Sequence, residues 1–293
     1  MSDFVQQQHT ICTFTNEESW VILSPIEQSI KQKIESVGTP LRDWDIKIYR
    51  GVLTGYNDAF IISTEKRDEI LANCHTEEER LRTAELIRPI LRGRDIKRYG
   101  YNWADLWLIA TFPSRHYDIE MYPAVKAHLL SFGKERLEQT GKKYIINGEE
   151  VKARKKTSNK WFETQDSISY WDDFLLPKLI YPETTQGAFF AYDETGLFLD
   201  KTCFMMISKH ARYLQATLSS QLFEFAYKRI FSSIELGQHG FQYNKHALIK
   251  LPVKKLNKSD SIIYSDEFFY NCYGITNEEI EYIINTIQSP QNQ

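Results

Sequence analysis

Apolar and polar positions along the chain predict short strands and amphipathic helices in mixed order. Ser24-Pro25-Ile26-Glu27 starts a helix, with Ser as N-cap, Pro at the first helical position and Glu placed for a capping box. Ile26, Ile30, Ile34 and Val37 follow at helical spacing, and Gly38 with Pro40 ends the element. Residues 45–63, D-I-K-I-Y-R-G-V-L-T-G-Y-N-D-A-F-I-I-S, read as strands at 46–49 and 59–62 joined into a hairpin. Its loop holds Gly51 and Gly55, which can take positive φ, and Asn57, which tolerates it. Small side chains there also leave the backbone open to close approach.

Residues 64–73 and 76–90 read as helices, 105–112 as a buried strand, and 122–141 as a helix opened by Tyr122-Pro123. Residues 171–183 and 189–208 are strand-rich, with a turn at Asp193-Glu194-Thr195-Gly196. Leu214, Leu218, Leu222 and Phe225 mark a core helix; 237–240 form a loop, and Leu251-Pro252-Val253 leads out of the domain. In the tail, Thr276 and Glu279 form a second capping box ahead of Ile280, Ile283, Ile284 and Ile287.

Two segments concentrate cations. Residues 88–99 carry Arg88, Arg92, Arg94, Lys97 and Arg98 around a helix break at Pro89 and Gly93. Such cations either relieve a helix C-terminus or present donors to phosphates. Residues 142–161 hold Lys142, Lys143, Lys152, Arg154, Lys155, Lys156 and Lys160 and close on Trp161. Their low apolar content predicts a mobile loop, either a solvated charged surface or a phosphate-contacting segment with an aromatic for stacking; the second reading is preferred.

Composition places the chain among globular proteins: 293 residues, 42% hydrophobic, 26% charged, net charge −3. The acids Asp260, Asp266, Glu267, Glu278, Glu279 and Glu281 gather in the last 35 residues without a Lys or Arg, leaving the remainder mildly basic. Cys12, Cys74, Cys203 and Cys272 are scattered, and no signal-peptide pattern opens the chain, so a cytoplasmic location without membrane attachment is expected. There is no G-x-G loop, no Pro-Pro pair and no H-E-x-x-H spacing, so no catalytic, cofactor or metal site is expected. Asp45-Ile46-Lys47 and Asp95-Ile96-Lys97 match a D-x-K nuclease fragment, a three-residue pattern that arises readily by chance.

Several segments together resemble one family, the TaqI-like C-terminal specificity domain of adenine-specific DNA methyltransferases and fused type IIG restriction-modification enzymes. They are residues 44–48 with Gly51, Thr54, Gly55, Asn57, Ala59 and Phe60; I-L-R-G-R-D-I-K-R-Y at 90–99; Trp107-Leu108-Ile109; and Tyr122-Pro123-Ala124-Val125 with Leu129. Pro177-Lys178-Leu179-Ile180, Tyr213-Leu214 and Leu251-Pro252-Val253 complete the series, which covers about 20–258. The resemblance implies an α+β fold: a mixed-sheet target-recognition domain at 21–258, preceded by an arm at 1–20 and followed by an acidic tail at 259–293 whose amphipathic helix docks. It implies double-stranded DNA as ligand and a DNA methyltransferase domain or subunit as partner. S-adenosylmethionine would bind that methyltransferase domain, which is missing here. Arg50, Thr54, Gly55, Asn57, Arg92, Arg94, Lys97, Arg98, Lys152, Arg154, Lys155, Lys156, Lys160 and Trp161 are the candidate DNA contacts. The alternative function is a small divalent-metal-dependent DNA endonuclease built on a D-x-K fragment.

Overall fold

A computed structural model describes residues 23–232, 235–236, 240–256 and 264–288. The expected arm at 1–20, most of the 237–240 loop and the start of the tail lie outside the described residues. The chain divides into two compact units, one of residues 1–47, 183–190 and 208–293, the other of 48–182 and 191–207. Both mix helices with small sheets, an α+β fold.

In the first unit the helix Pro25–Val37 begins as its sequence dictates. Ser24 Oγ accepts from the Glu27 amide, and Glu27 Oε2 accepts from the Ser24 amide at 2.8 Å. Residues 252–253 do not lead away: Pro252–Val253 pairs antiparallel with Thr39–Pro40, and Gly38 lets the two backbones meet, since a Cβ there would lie 2.3 Å from the Pro252 carbonyl oxygen. Leu214, Leu218, Leu222 and Phe225 are buried on the consecutive helices Ala211–Ser219 and Gln221–Ala226. The tail helix Asn277–Gln288 packs on Gln221–Ala226, with Ile283 buried and Tyr282 edge-on to Phe225. Its capping box forms: Glu279 Oε2 accepts from the Thr276 amide at 2.8 Å, and Thr276 Oγ1 accepts from the Glu279 amide at 3.3 Å.

The second unit contains two four-stranded sheets. One runs Ala191–Asp193, Lys178–Pro182, Cys203–Ile207, Lys47–Arg50. The other runs Phe198–Leu199, Ile87–Leu91, Leu106–Ile109, Ile61–Ser63, and is mixed because Phe198–Leu199 joins Ile87–Leu91 in parallel. Phe112, Phe198 and Phe174 stack in its core, with ring centroids 5.9 and 4.5 Å apart. Lys178 and Asp193 are buried as an ion pair at 2.5 Å, and Asp193 also accepts from the Thr195 and Leu197 amides, which shapes the turn expected at 193–196.

Four expectations differ from the structure. The helix expected at 122–141 is broken: Pro123–Leu130 ends at Ser131, Gly133 takes φ +85°, and only Lys134–Leu137 resumes a helical turn. The hairpin at 45–63 does not form: Lys47–Arg50 and Ile61–Ser63 belong to different sheets, and residues 57–60 make a helical turn between them. Strand propensity was right at both ends, but partner choice rests on distant residues, Leu108 opposite Ile61 and Cys203–Ile207 beside Lys47–Arg50. The helix expected at 76–90 is Glu77–Leu86 and gives way to the strand Ile87–Leu91, because Pro89 disfavours helical φ/ψ at Arg88 and a helix could not run through it. The mobile loop expected at 142–161 is largely built structure: Lys143–Ile146 pairs with Glu149–Lys152, and the segment after it is fastened by Arg154.

Candidate nucleic-acid interface

All fourteen candidate residues fall in the second unit, and residues 50–57 connect the two basic segments. At one end of this stretch, Gly51 lies against the turn before Cys203–Ile207. Its amide donates to the Cys203 carbonyl at 2.9 Å, and a Cβ would fall 2.0 Å from the Asp200 carbonyl oxygen, so only glycine fits. Gly51 is needed for close approach, whereas Gly55 is the one of the pair with positive φ, +81°.

The first basic segment reaches the same turn. The Asp200 amide donates to the Leu91 carbonyl and the Gly93 amide to Thr202 Oγ1, both at 2.9 Å. Arg50 is exposed, and its Nε donates to the Lys201 carbonyl at 2.9 Å, so Arg50 and Lys201 stand together at the turn. Arg92 is committed locally: Nε and Nη2 each donate to a different oxygen of Asp95 at 2.9 Å. Burial alone would raise the Asp95 pKa, but hydrogen bonds and charge from Arg92 hold it below the usual carboxylate range. Arg94 and Lys97 are exposed, Arg98 is half-buried, and the exposed Tyr99, at φ +67°, occupies the turn between Ile96–Lys97 and Gly100–Tyr101.

At the other end, Thr54 and Arg154 do not reach the surface. Thr54 is fully buried, and its Oγ1 donates to Asn57 Oδ1 at 2.6 Å while accepting from the Tyr56 amide at 3.2 Å. It sets the loop so that Gly55 and Asn57 are exposed. Arg154 is buried over the Phe60 ring and donates to four backbone carbonyls: Leu137 and Thr54 at 2.8 Å, Glu163 at 2.8 Å and Trp161 at 2.7 Å. Burial lowers its pKa to about 10, so it stays cationic at neutral pH. With its donors turned inward, Arg154 joins the glycine stretch to the second basic segment and is no phosphate contact. Gly55 packs against it so closely that a Cβ added there would lie 2.9 Å from Arg154 Cδ. Lys152, Lys155, Lys156 and Lys160 are exposed around this staple, and Trp161 is half-buried, edge-on to Phe162.

This arrangement offers exposed cations at both ends of one stretch and exposed backbone at Gly55, held by buried hydrogen bonds. Sequence reasoning missed Lys201 and Tyr99 as members of it. Lys201 is brought in only by the turn its neighbours make, whereas Tyr99, an aromatic directly following Lys97 and Arg98, carried a readable signal. The D-x-K fragment at 95–97 is occupied otherwise, since both Asp95 oxygens face Arg92 and Lys97 Nζ donates to the Arg94 carbonyl. Among the described residues, no group of three or more His, Cys, Asp or Glu is placed to hold a metal ion, and no helix is long and apolar enough to cross a membrane.

A family model described as "TaqI-like C-terminal specificity domain" matches residues 88–253, which include both basic segments and Lys201 but not the glycine stretch. No curated protein matches. Among solved structures, the fold is similar to that of the type IIG restriction endonuclease BpuSI, with a TM-score of 0.50 and 14% identity over 89% of this chain and 28% of that one. The type IIL restriction-modification enzyme MmeI, in complex with DNA, is similar at a TM-score of 0.44 and 12% identity over 87% of this chain and 34% of that one. The chain thus spans about a third or less of the length of either enzyme.

Proposed function

The chain belongs to the TaqI-like C-terminal specificity domain family, and on that premise we propose that it reads a double-stranded DNA sequence as the target-recognition module of a restriction-modification system. In this reading it acts with an adenine-specific DNA methyltransferase domain or subunit, which binds S-adenosylmethionine and carries the chemistry. The observation that carries the reading is the stretch 50–57, which ties two basic segments together through buried contacts at Asp200–Cys203 and Arg154. Cations fixed this way position the protein on phosphates, while the exposed Gly55 and Asn57 leave room for base edges.

Selection from a pool of duplexes with randomised centres tests the reading. The full chain should enrich one short sequence, and its affinity should fall steeply with salt. Supplying a methyltransferase subunit should then direct adenine methylation to that sequence. A chain that enriches nothing and binds duplex without salt dependence would remove the proposal.

A further inference from the structure

Residues 143–152 form a two-stranded ribbon that no other strand joins among the described residues. Lys143 faces Lys152 and Ile145 faces Glu150, and the connecting Asn147 and Gly148 have φ of 52° and 85°. Positive φ at both turn positions matches the twist of a tight hairpin, so the ribbon is a defined element. Its side chains alternate: Tyr144, Ile146 and Val151 are half-buried, while Lys143, Ile145, Glu150 and Lys152 face outward. Ile145 is 72% exposed, the most exposed of the large hydrophobic residues described.

A lone apolar side chain on a polar face is too small for a protein interface, which needs a contiguous patch of several hundred Å². Its neighbours indicate what covers it instead. Lys142, Lys152, Lys155 and Lys156 are exposed on or beside the ribbon, while Lys143 Nζ pairs with Glu150 at 2.9 Å and Glu149 is the other acid. The base is stiff, because the Ala153 amide donates to the Lys142 carbonyl at 2.9 Å and the Gly141 amide to the Arg154 carbonyl at 2.8 Å, directly beside the buried Arg154 staple. A two-stranded ribbon fits the major groove of a duplex, where the thymine methyl is the apolar feature of the base edges.

We infer that the ribbon enters the DNA major groove with its outer face towards the bases, that Ile145 contacts a thymine methyl, and that Lys152 takes a flanking phosphate. This rests on the DNA-reading function proposed above and adds a specificity-determining residue to it.

The test uses the full chain, its Ile145→Ala variant and the duplex sequence that the wild type enriches. Each thymine of that sequence is replaced in turn by uracil, which removes only the methyl group. One replacement should weaken wild-type binding by about three- to tenfold and leave Ile145→Ala, already weaker on the thymine duplex, without further loss. Ile145 is exposed, so the substitution leaves folding intact. Equal sensitivity of the two proteins to every replacement, or none in either, would overturn the ribbon assignment while the DNA-reading function stands. Failure of the wild type to enrich any duplex would remove both.

Discussion

Arg154 and Thr54, 100 positions apart in sequence, meet where Nη1 of the buried guanidinium donates to the Thr54 carbonyl at 2.8 Å. That bond, with those to Leu137, Trp161 and Glu163, makes a residue of the basic segment into the support of the glycine stretch. Replacing Arg154 by Ala leaves four carbonyls facing a void. The expected loss is about 3–5 kcal/mol of stability, as for other buried charged groups removed from their partners. Arg154→Lys recovers only part of it, because an ammonium cannot span a planar fork. Urea midpoints of the two variants measure this, and an Ala variant as stable as wild type would refute the staple.

The two glycines of the stretch should respond differently. Gly51→Ala places a Cβ 2.0 Å from one backbone carbonyl oxygen and 2.6 Å from another, with no flexible side chain to give way. It should prevent folding of the second unit or destabilise it by more than about 3 kcal/mol. Gly55→Ala meets left-handed strain at φ +81° and two side chains at 2.9 Å, the anchored Arg154 Cδ and the more adaptable Gln165 Oε1, but no backbone carbonyl, and should cost less, about 2–3 kcal/mol. Thermal unfolding of both variants gives the comparison; equal losses would contradict it.

Salt dependence separates presented cations from committed ones. Arg94→Ala and Lys97→Ala, at exposed positions, should leave stability unchanged within about 0.5 kcal/mol. If each side chain holds one phosphate, each substitution lowers the log–log salt slope of duplex binding by about one. Arg92→Ala instead strips the mostly buried Asp95 carboxylate of its bidentate partner and should destabilise the fold. Slopes unchanged by the first two would return those residues to a solvated surface.

Local signals in the sequence were legible wherever the interaction closes within a few residues. Ser24 with Glu27 and Thr276 with Glu279 cap their helices as read, and the 193–196 turn forms around Asp193. What escaped depends on contacts between distant residues. Residues 59–60 look like strand, yet the chain turns helically there because Ile61–Ser63 pairs with Leu106–Ile109, not with Lys47–Arg50. Arg154 stands among lysines in sequence and looks like one more surface cation, but its environment comes from Thr54, Phe60 and Leu137. The candidate site was legible in its exposed cations and glycines and illegible in its support.

Acid should weaken the second unit through His128. The ring is partly buried, and its Nε2 lies 3.0 Å from the Ala59 carbonyl, which accepts from the neutral imidazole N–H. Burial lowers the His128 pKa below its usual value. The unfolded chain therefore takes up a proton near pH 6.5 that the folded one refuses, so this stability is present above about 6.5 and is lost as pH falls below it. His128→Gln, whose amide can donate to the same carbonyl, should flatten the change in urea midpoint between about pH 5 and 7. An identical pH profile in the variant would exclude His128 as the source.

The tail helix gives the last test. Four isoleucines mark its apolar side, but only Ile283 is fully buried; Ile280, Ile284 and Ile287 are half-buried. Ile283→Ala should therefore destabilise the first unit by about 2–5 kcal/mol, and Ile284→Ala by clearly less. Polar contacts fix the same helix, since Glu279 accepts from Lys33 Nζ at 2.6 Å and Ser29 Oγ at 2.7 Å on the helix Pro25–Val37. Burial would raise the Glu279 pKa, but the bonds from Lys33, Thr276 and Ser29 lower it overall. Its contribution is thus complete above the usual glutamate value of about 4.3 and disappears as pH falls through the lowered one. Hydrogen exchange on residues 277–288 should stay slow at pH 6 in the wild type, quicken in Ile283→Ala and quicken less in Ile284→Ala. Equal protection in all three would mean that the helix is held by something other than Ile283.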